Sequence, residues 1–112
     1  SAMLTNFIGT ELKLSELTEW ILKIFSKFKV TEIRYFGSRI NGAPRENSDI
    51  DTYIVFKGKT PNKGPLFTEL YKHNGKNYQI EFHAFVDFAD GYVPTYLIGN
   101  AENQITQTPK TA

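Results

Sequence analysis

The sequence predicts one α/β (α+β) domain, and three patterns carry that prediction. Apolar residues recur every three or four positions across residues 15–28, as they do on one side of a helix. Two stretches rich in β-branched and aromatic residues, 31–36 and 49–56, lie on either side of a glycine-containing turn. A further stretch, 78–85, alternates apolar and polar residues as a half-buried strand does. Helix and strand signals are therefore mixed along the chain.

Length and composition limit the classes of function. The 112 residues suffice for a single core. Thirteen basic and twelve acidic residues leave a net charge of +1, which argues against a strong non-specific nucleic-acid or membrane surface. The absence of cysteine excludes disulfides and thiolate zinc sites. No apolar run approaches the roughly 18 residues that cross a bilayer. We therefore expect a soluble, cytoplasmic protein.

The predicted organisation is one domain with short flanking segments. Residues 1–3, Ser-Ala-Met, have the composition of an expression scar. The domain is expected over residues 4–99. Residues 87–98 contain aromatics, but glycine and proline interrupt any long element there. Residues 100–112 are polar and rich in Thr and Gln, which predicts a flexible tail.

Local signals give the first boundaries. Ser15 is the expected N-cap of a helix over residues 15–28. A second, short helix is expected over residues 38–41, where Gly42 stops it. The stretch 49–56 is nearly continuously apolar after an acidic start, which is typical of a central strand.

The segment after the turn-rich loop at 57–65 has two interpretations. Residues 66–72 pair apolar side chains at i,i+4 and could form a helical turn. They could equally form a strand, joined through Asn74-Gly75 to the strand at 78–85. We favour the strand, because Asn-Gly is a strong hairpin signal.

The most informative stretch runs from Tyr35 to Tyr53. Gly37-Ser38 closes the first apolar run, ten residues follow, and Asp49 and Asp51 open the second. Carboxylates at i and i+2 of a strand point to the same face, because strand side chains alternate. Two like charges held a few ångströms apart repel each other. A divalent cation is the commonest reason for placing them together.

The turn itself has the features of a phosphate site. A strand that ends in a small-residue turn before a helix presents backbone N–H groups and a positive dipole end. Gly37 lets the backbone come close, the Ser38 hydroxyl can donate to a phosphate oxygen, and Arg39 can add charge. Ser48, beside the first aspartate, completes the expected nucleotide-binding residues. The Walker-type pattern is absent.

A two-metal site needs a third carboxylate on a neighbouring strand, and Glu81 is the candidate. It lies in an otherwise apolar stretch, where a charge is costly to bury without a partner. Beside Asp51 it could bind metal and accept the proton of an attacking hydroxyl. The alternatives are a cross-strand ion pair for Glu81, or Asp87 as the third acid. His83 shares the face of Glu81 and is by default an ordinary strand residue.

Gly37-Ser38, ten residues and then Asp49-x-Asp51 resemble the signature of the DNA-polymerase-beta-like nucleotidyltransferase superfamily. The spacing and the small size are most similar to the minimal nucleotidyltransferases, which include the antitoxins paired with HEPN-domain toxins. This resemblance implies a small mixed sheet of three to five strands flanked by helices.

By this resemblance, Gly37 and Ser38 hold a nucleoside triphosphate, while Asp49 and Asp51 bind Mg²⁺ or Mn²⁺. The third catalytic acid of the family is usually Asp, and Glu81 stands at that place here. The longer side chain leaves metal binding a firmer expectation than activity.

The resemblance implies transfer of a nucleoside monophosphate, AMP from ATP, to a hydroxyl of a macromolecular acceptor such as a partner toxin. The alternative is a nucleotide-binding module that acts by binding a partner protein, with little or no turnover. An RNA acceptor is a weaker interpretation, because a nearly neutral chain has little unaided grip on a polyanion.

Overall fold

The structure, a computed structural model, describes residues 4–87. Within this range the chain forms, in order, α1 (Leu14–Ile24), β1 (Val30–Phe36), α2 (Ser38–Asn41), β2 (Ile50–Lys57), β3 (Leu66–His73) and β4 (Lys76–Asp87). The predicted scar at 1–3, the end of the domain at 88–99 and the tail at 100–112 lie outside the described residues. No helix within the described range is long and apolar enough to cross a membrane.

The four strands form one mixed sheet in the order β1-β2-β4-β3. β1 is antiparallel to β2, β2 is parallel to β4, and β3 is antiparallel to β4. β2 is therefore a central strand, as its continuous apolar character predicted. The mixed four-stranded sheet with helices is the α+β architecture expected for the nucleotidyltransferase fold.

The core lies on one face of the sheet, which packs against α1. Alternation along each strand sends every second side chain to that face. The buried core residues come from α1 and from this face of the sheet, and they include Leu17, Ile21, Ile33, Tyr35, Ile50, Ile54, Phe56, Ile80 and Phe82. Tyr35 and Phe82 are thus core residues, as predicted. Tyr53 is also buried, but it lies on the opposite face, with its ring centroid 5.0 Å from that of Phe85.

The boundaries of α1 differ from the prediction. The N-cap is Lys13 rather than Ser15, which lies inside the first turn. The backbone N–H of Lys13 donates to Oε1 of Glu16 at 3.1 Å, so the glutamate side chain stabilises the helix start without a serine cap. The helix also ends at Ile24, four residues before the predicted end. Phe25 stays buried because its ring packs edge-on against Phe56 and Phe82 from a turn.

Residues 66–72 belong to a strand, as we favoured from the Asn-Gly signal. β3 pairs with β4 from Leu66 opposite His83 to His73 opposite Lys76. Asn74 and Gly75 both have positive φ, 50° and 79°, as a type I′ hairpin turn requires. The hairpin places β3 at the edge of the sheet and leaves β4 directly beside β2.

Candidate active site

Gly37 joins the end of β1 to the start of α2. Its backbone has φ 82° and ψ −162°, a region essentially open to glycine alone. A β-carbon at this position would lie 2.1 Å from Oδ2 of Asp51. Because glycine has no such atom, the backbone of the turn lies directly against the carboxylate of β2. The Gly-Ser turn and the Asp-x-Asp strand are therefore parts of one site.

Arg39 does not occupy the place predicted for it. Its side chain is only 2% exposed. The guanidinium donates to the backbone carbonyls of Ser48 (3.1 and 3.2 Å), Ile8 (3.1 Å) and Glu46 (2.9 Å). These bonds give Arg39 a structural role, fastening the loop before β2 to the N-terminal segment. They do not support the predicted contact between Arg39 and a nucleotide.

Ser48 organises the loop that leads into β2. Its Oγ accepts a hydrogen bond from the backbone N–H of Arg45 at 2.7 Å, while its carbonyl accepts from Arg39. The serine therefore closes a turn directly before Asp49. A contact between the Ser48 hydroxyl and a nucleotide stays a prediction, as does binding by Gly37 and Ser38.

Asp51 and Glu81 are direct neighbours in the parallel ladder between β2 and β4. Together with His83 they form a cluster in which one potential ligand atom from each residue lies within 4.8 Å of the others. We call the side of the sheet that carries these three residues the acidic face. The predicted position of Glu81 beside Asp51 is confirmed.

Asp49 lies just before β2 and is outside this cluster of three. It is partly buried, and its charge still affects Asp51. Asp87 is excluded as the third acid by distance. It lies six residues beyond Glu81 along β4, which is about 20 Å in an extended strand.

The electrostatics of the acidic face disfavour a bare pair of carboxylates. Burial raises the pKa of Asp51 to about 6, and the negative charge of Glu81 acts in the same direction. A hydrogen bond to Glu81 and the charge of Asp49 add to the rise, whereas His83 opposes it. A divalent cation would offset this repulsion and stabilise the ionised carboxylate of Asp51.

His83 is closer to the chemistry than the sequence indicated. Its Nε2 lies 3.0 Å from Oε1 of Glu81, and its ring packs against Phe36 with centroids 4.9 Å apart. The available signal was its i,i+2 relation to Glu81, which puts both side chains on one face of β4. That signal alone could not distinguish a site residue from an ordinary strand residue.

The acidic face has the donor types that a divalent cation requires. Carboxylate oxygens suit Mg²⁺ and Mn²⁺, and an imidazole nitrogen suits the first-row transition metals. A cleft of about 490 Å³ elsewhere in the molecule, lined by Gly9, Thr10, Glu11, His73, Asn74, Lys76 and Tyr78, contains none of these acids. The donor set therefore makes the acidic face, and not this cleft, the candidate metal site.

A glycine turn against an Asp-x-Asp strand, with a further carboxylate on the parallel neighbour, defines a site for nucleotidyl transfer on a mixed α+β sheet. Comparison with known families agrees. The model of the nucleotidyltransferase domain family matches residues 18–102, and the chain belongs to this family. A search of curated proteins finds no match.

Family membership supports a transferase that moves a nucleotidyl group. The matched range includes the Gly-Ser turn, both aspartates and Glu81. Assignment to the minimal type, and similarity to the antitoxins of HEPN toxins, stay predictions from the spacing of the motif.

Proposed function

We propose that the protein is a divalent-metal-dependent adenylyltransferase that moves AMP from ATP to a hydroxyl of a macromolecular acceptor. The observation that carries the proposal is that Asp51 in β2 pairs directly with Glu81 in β4. The carboxylate of Asp51 also lies against the Gly37 turn. Family membership supports nucleotidyl transfer, while the metal, ATP and the acceptor are the finer parts of the proposal.

In this proposal each motif has one task. The backbone at Gly37 and Ser38 binds the triphosphate, and Asp49, Asp51 and Glu81 hold the metal. The metal, when bound, neutralises charge on the phosphates and polarises the α-phosphorus for attack. A carboxylate oxygen of Asp51 or Glu81 that does not bind the metal would accept the proton of the acceptor hydroxyl.

The overall reaction then balances simply. The acceptor oxygen forms a bond to the α-phosphorus of ATP, and the bond between that phosphorus and the bridging oxygen breaks. Pyrophosphate leaves with the bonding electrons, and the hydroxyl proton passes to a carboxylate of the pair. AMP remains on the acceptor as a phosphodiester.

The resemblance to minimal nucleotidyltransferases suggests the acceptor class. We propose a protein partner, with a HEPN-type toxin as the first one to test, in the cytoplasm. The low net charge disfavours RNA as an unaided acceptor.

A second function has one observation in its favour. Glu81 replaces the usual aspartate and its Oε1 already contacts His83 at 3.0 Å. A site that binds nucleotide and metal but turns over slowly or not at all would then serve to hold a protein partner.

Label transfer separates these functions. The protein is incubated with α-labelled or γ-labelled ATP, Mg²⁺ or Mn²⁺, and either a HEPN-type toxin or RNA. We expect the α-label, but not the γ-label, to reach the protein acceptor. Asp51→Asn should abolish transfer, whereas Glu69→Gln, which alters an exposed ion pair with Lys63, should retain it.

Transfer of the γ-label would contradict nucleotidyl transfer, and equal α-label transfer by Asp51→Asn would contradict the site. Metal-dependent ATP binding without pyrophosphate release for any acceptor would favour the binding module.

A further inference from the structure

We propose that His83 is itself a metal ligand, through Nε2, and that it makes the site prefer Mn²⁺ over Mg²⁺. The inference rests on the proposed function in one respect, namely that Asp51 and Glu81 hold a divalent cation. His83 would add one nitrogen ligand to a site otherwise composed of oxygen ligands, and this nitrogen would favour Mn²⁺ over Mg²⁺.

The spacing of the ligand atoms is close to that of a single coordination shell. Adjacent ligands of an octahedral ion with bonds of about 2.1 Å lie about 3.0 Å apart, and opposite ligands about 4.2 Å apart. Nε2 of His83 lies 3.0 Å from Oε1 of Glu81, a hydrogen-bond distance that also equals the spacing of adjacent ligands. The three ligand atoms, including one from Asp51, all lie within 4.8 Å of one another.

The fold holds the imidazole in this position from two sides. The backbone of His83 pairs with Tyr53 in β2 and with Leu66 in β3. Its ring packs against Phe36, with centroids 4.9 Å apart and planes inclined by 63°. Phe36 is the last residue of β1 and directly precedes the Gly37 turn. The imidazole therefore lies on the acidic face against the Phe36 ring, with Nε2 beside the Glu81 carboxylate.

The burial of the pair is also suited to a metal ligand. The side chains of His83 and Glu81 are 28% and 30% exposed, so an ion can reach them while bulk water is partly excluded. The other histidine of the chain, His73, lies at the far end of β3, where its ring stacks on Tyr71. Only one of the two histidines is thus placed near the acids.

The chemistry of the added ligand sets the preference among metals. Mg²⁺ favours oxygen ligands and retains several waters, whereas transition ions also accept imidazole, and Mn²⁺ is the weakest binder among them. Nitrogen coordination should therefore strengthen Mn²⁺ binding more than Mg²⁺ binding. Replacing His83 should narrow the difference between the two metals and leave a weaker oxygen-only site.

Electron paramagnetic resonance of bound Mn²⁺ tests this directly. Mn²⁺ alone is added to the untagged wild-type chain, without ATP, because adenine nitrogens would also couple to the ion. Electron spin-echo modulation should show a ¹⁴N coupling of the strength typical of a coordinated imidazole. The coupling should persist in His73→Asn and disappear in His83→Asn, with His83→Gln as a second variant if the first does not fold.

Affinity provides the second readout. Mn²⁺ should bind His83→Asn about tenfold more weakly than the wild type, as expected when a metal site loses a ligand or its support. Competition between Mg²⁺ and Mn²⁺ should show that His83→Asn loses less affinity for Mg²⁺ than for Mn²⁺. Mn²⁺ bound to the wild type without nitrogen coupling would overturn the role of His83 and leave the carboxylate site of the proposed function intact. Absence of Mn²⁺ binding would overturn both.

Discussion

The carboxylate of Asp51 occupies the space that a side chain at Gly37 would need: a β-carbon there would lie 2.1 Å from Oδ2 and 3.1 Å from Cγ. The contact joins two motifs, Gly37-Ser38 and Asp49-x-Asp51, that are separated by ten residues of α2 and loop. It explains why the turn needs glycine for space as well as for its positive φ. The Gly37 turn and the acidic face are therefore in direct contact.

Gly37→Ala should lower the free energy of unfolding by about 2–4 kcal/mol. About 1–3 kcal/mol comes from holding alanine in the positive-φ conformation of Gly37, and the rest from displacing the Asp51 carboxylate. Gly58→Ala is the matched control, since Gly58 has φ 77° with nothing within 4 Å of an added β-carbon. Urea unfolding of both variants measures the difference. Equal losses would show that the close approach to Asp51 has no energetic consequence.

Asp51→Asn should make the metal-free protein more stable at pH 7. The folded-state pKa of Asp51 is about 6, above the ordinary value of 3.8, so the folded state binds more protons than the unfolded state between these values. The contribution of Asp51 is therefore fully present below about pH 4 and is lost as pH rises through 6. Urea unfolding between pH 4 and 8, with chelator present, measures this loss. The free energy of unfolding of the wild type should fall, relative to that of Asp51→Asn, as the pH rises.

The same pair of proteins provides the metal control. Mn²⁺ at pH 7 should stabilise the wild type by binding the folded state and should stabilise Asp51→Asn little. A pH-independent difference between the two proteins would contradict a raised pKa at Asp51.

Glu81→Gln should lower the pKa of Asp51 without returning it to its ordinary value. The charge of Glu81 is the second cause of the shift, and burial, the first, remains in the variant. A carboxyl ¹³C titration by NMR would locate the midpoint between 3.8 and about 6. A midpoint unchanged from the wild type would mean that the two carboxylates do not interact.

Arg39→Lys should destabilise the fold by about 2–4 kcal/mol. The planar guanidinium of Arg39 reaches three backbone carbonyls at once, and the single ammonium group of lysine cannot reach all three. Thermal or urea unfolding measures the loss. Arg45→Lys, in the exposed loop nearby, should cost far less. If the variant instead had normal stability but bound ATP more weakly, the result would support the contact between Arg39 and a nucleotide that the sequence predicted.

Local patterns predicted the parts of the fold that depend on neighbours in sequence. The Asn74-Gly75 turn determined the hairpin, and alternation along β4 put Glu81 opposite the core. Asp51 and Glu81 could be paired because an isolated charge in an apolar strand requires a partner. The predicted start of α1 at Ser15 was wrong, because the side chain of Glu16 accepts a hydrogen bond from the backbone N–H of Lys13. This interaction is as local as a serine cap, but no residue pattern in the sequence marks it uniquely.

Long-range contacts account for what the sequence could not predict. The guanidinium of Arg39 turns inward to the carbonyl of Ile8, 31 residues away, and no local pattern indicates that contact. His83 gains its position from the ring of Phe36 on a non-neighbouring strand as much as from β4 itself. The side-chain environment of the acidic face therefore emerged only from the tertiary structure.

Calorimetric titration with ATP tests whether the acidic face and the Gly37 turn form one metal-dependent nucleotide site. Wild-type protein is titrated with ATP in Mn²⁺, in Mg²⁺ and in chelator, beside the double variant Asp49→Asn/Asp51→Asn. We expect one ATP per chain with either metal, and little binding in chelator or by the double variant. ATP binding of equal affinity with and without metal, or retained by the double variant, would contradict the account.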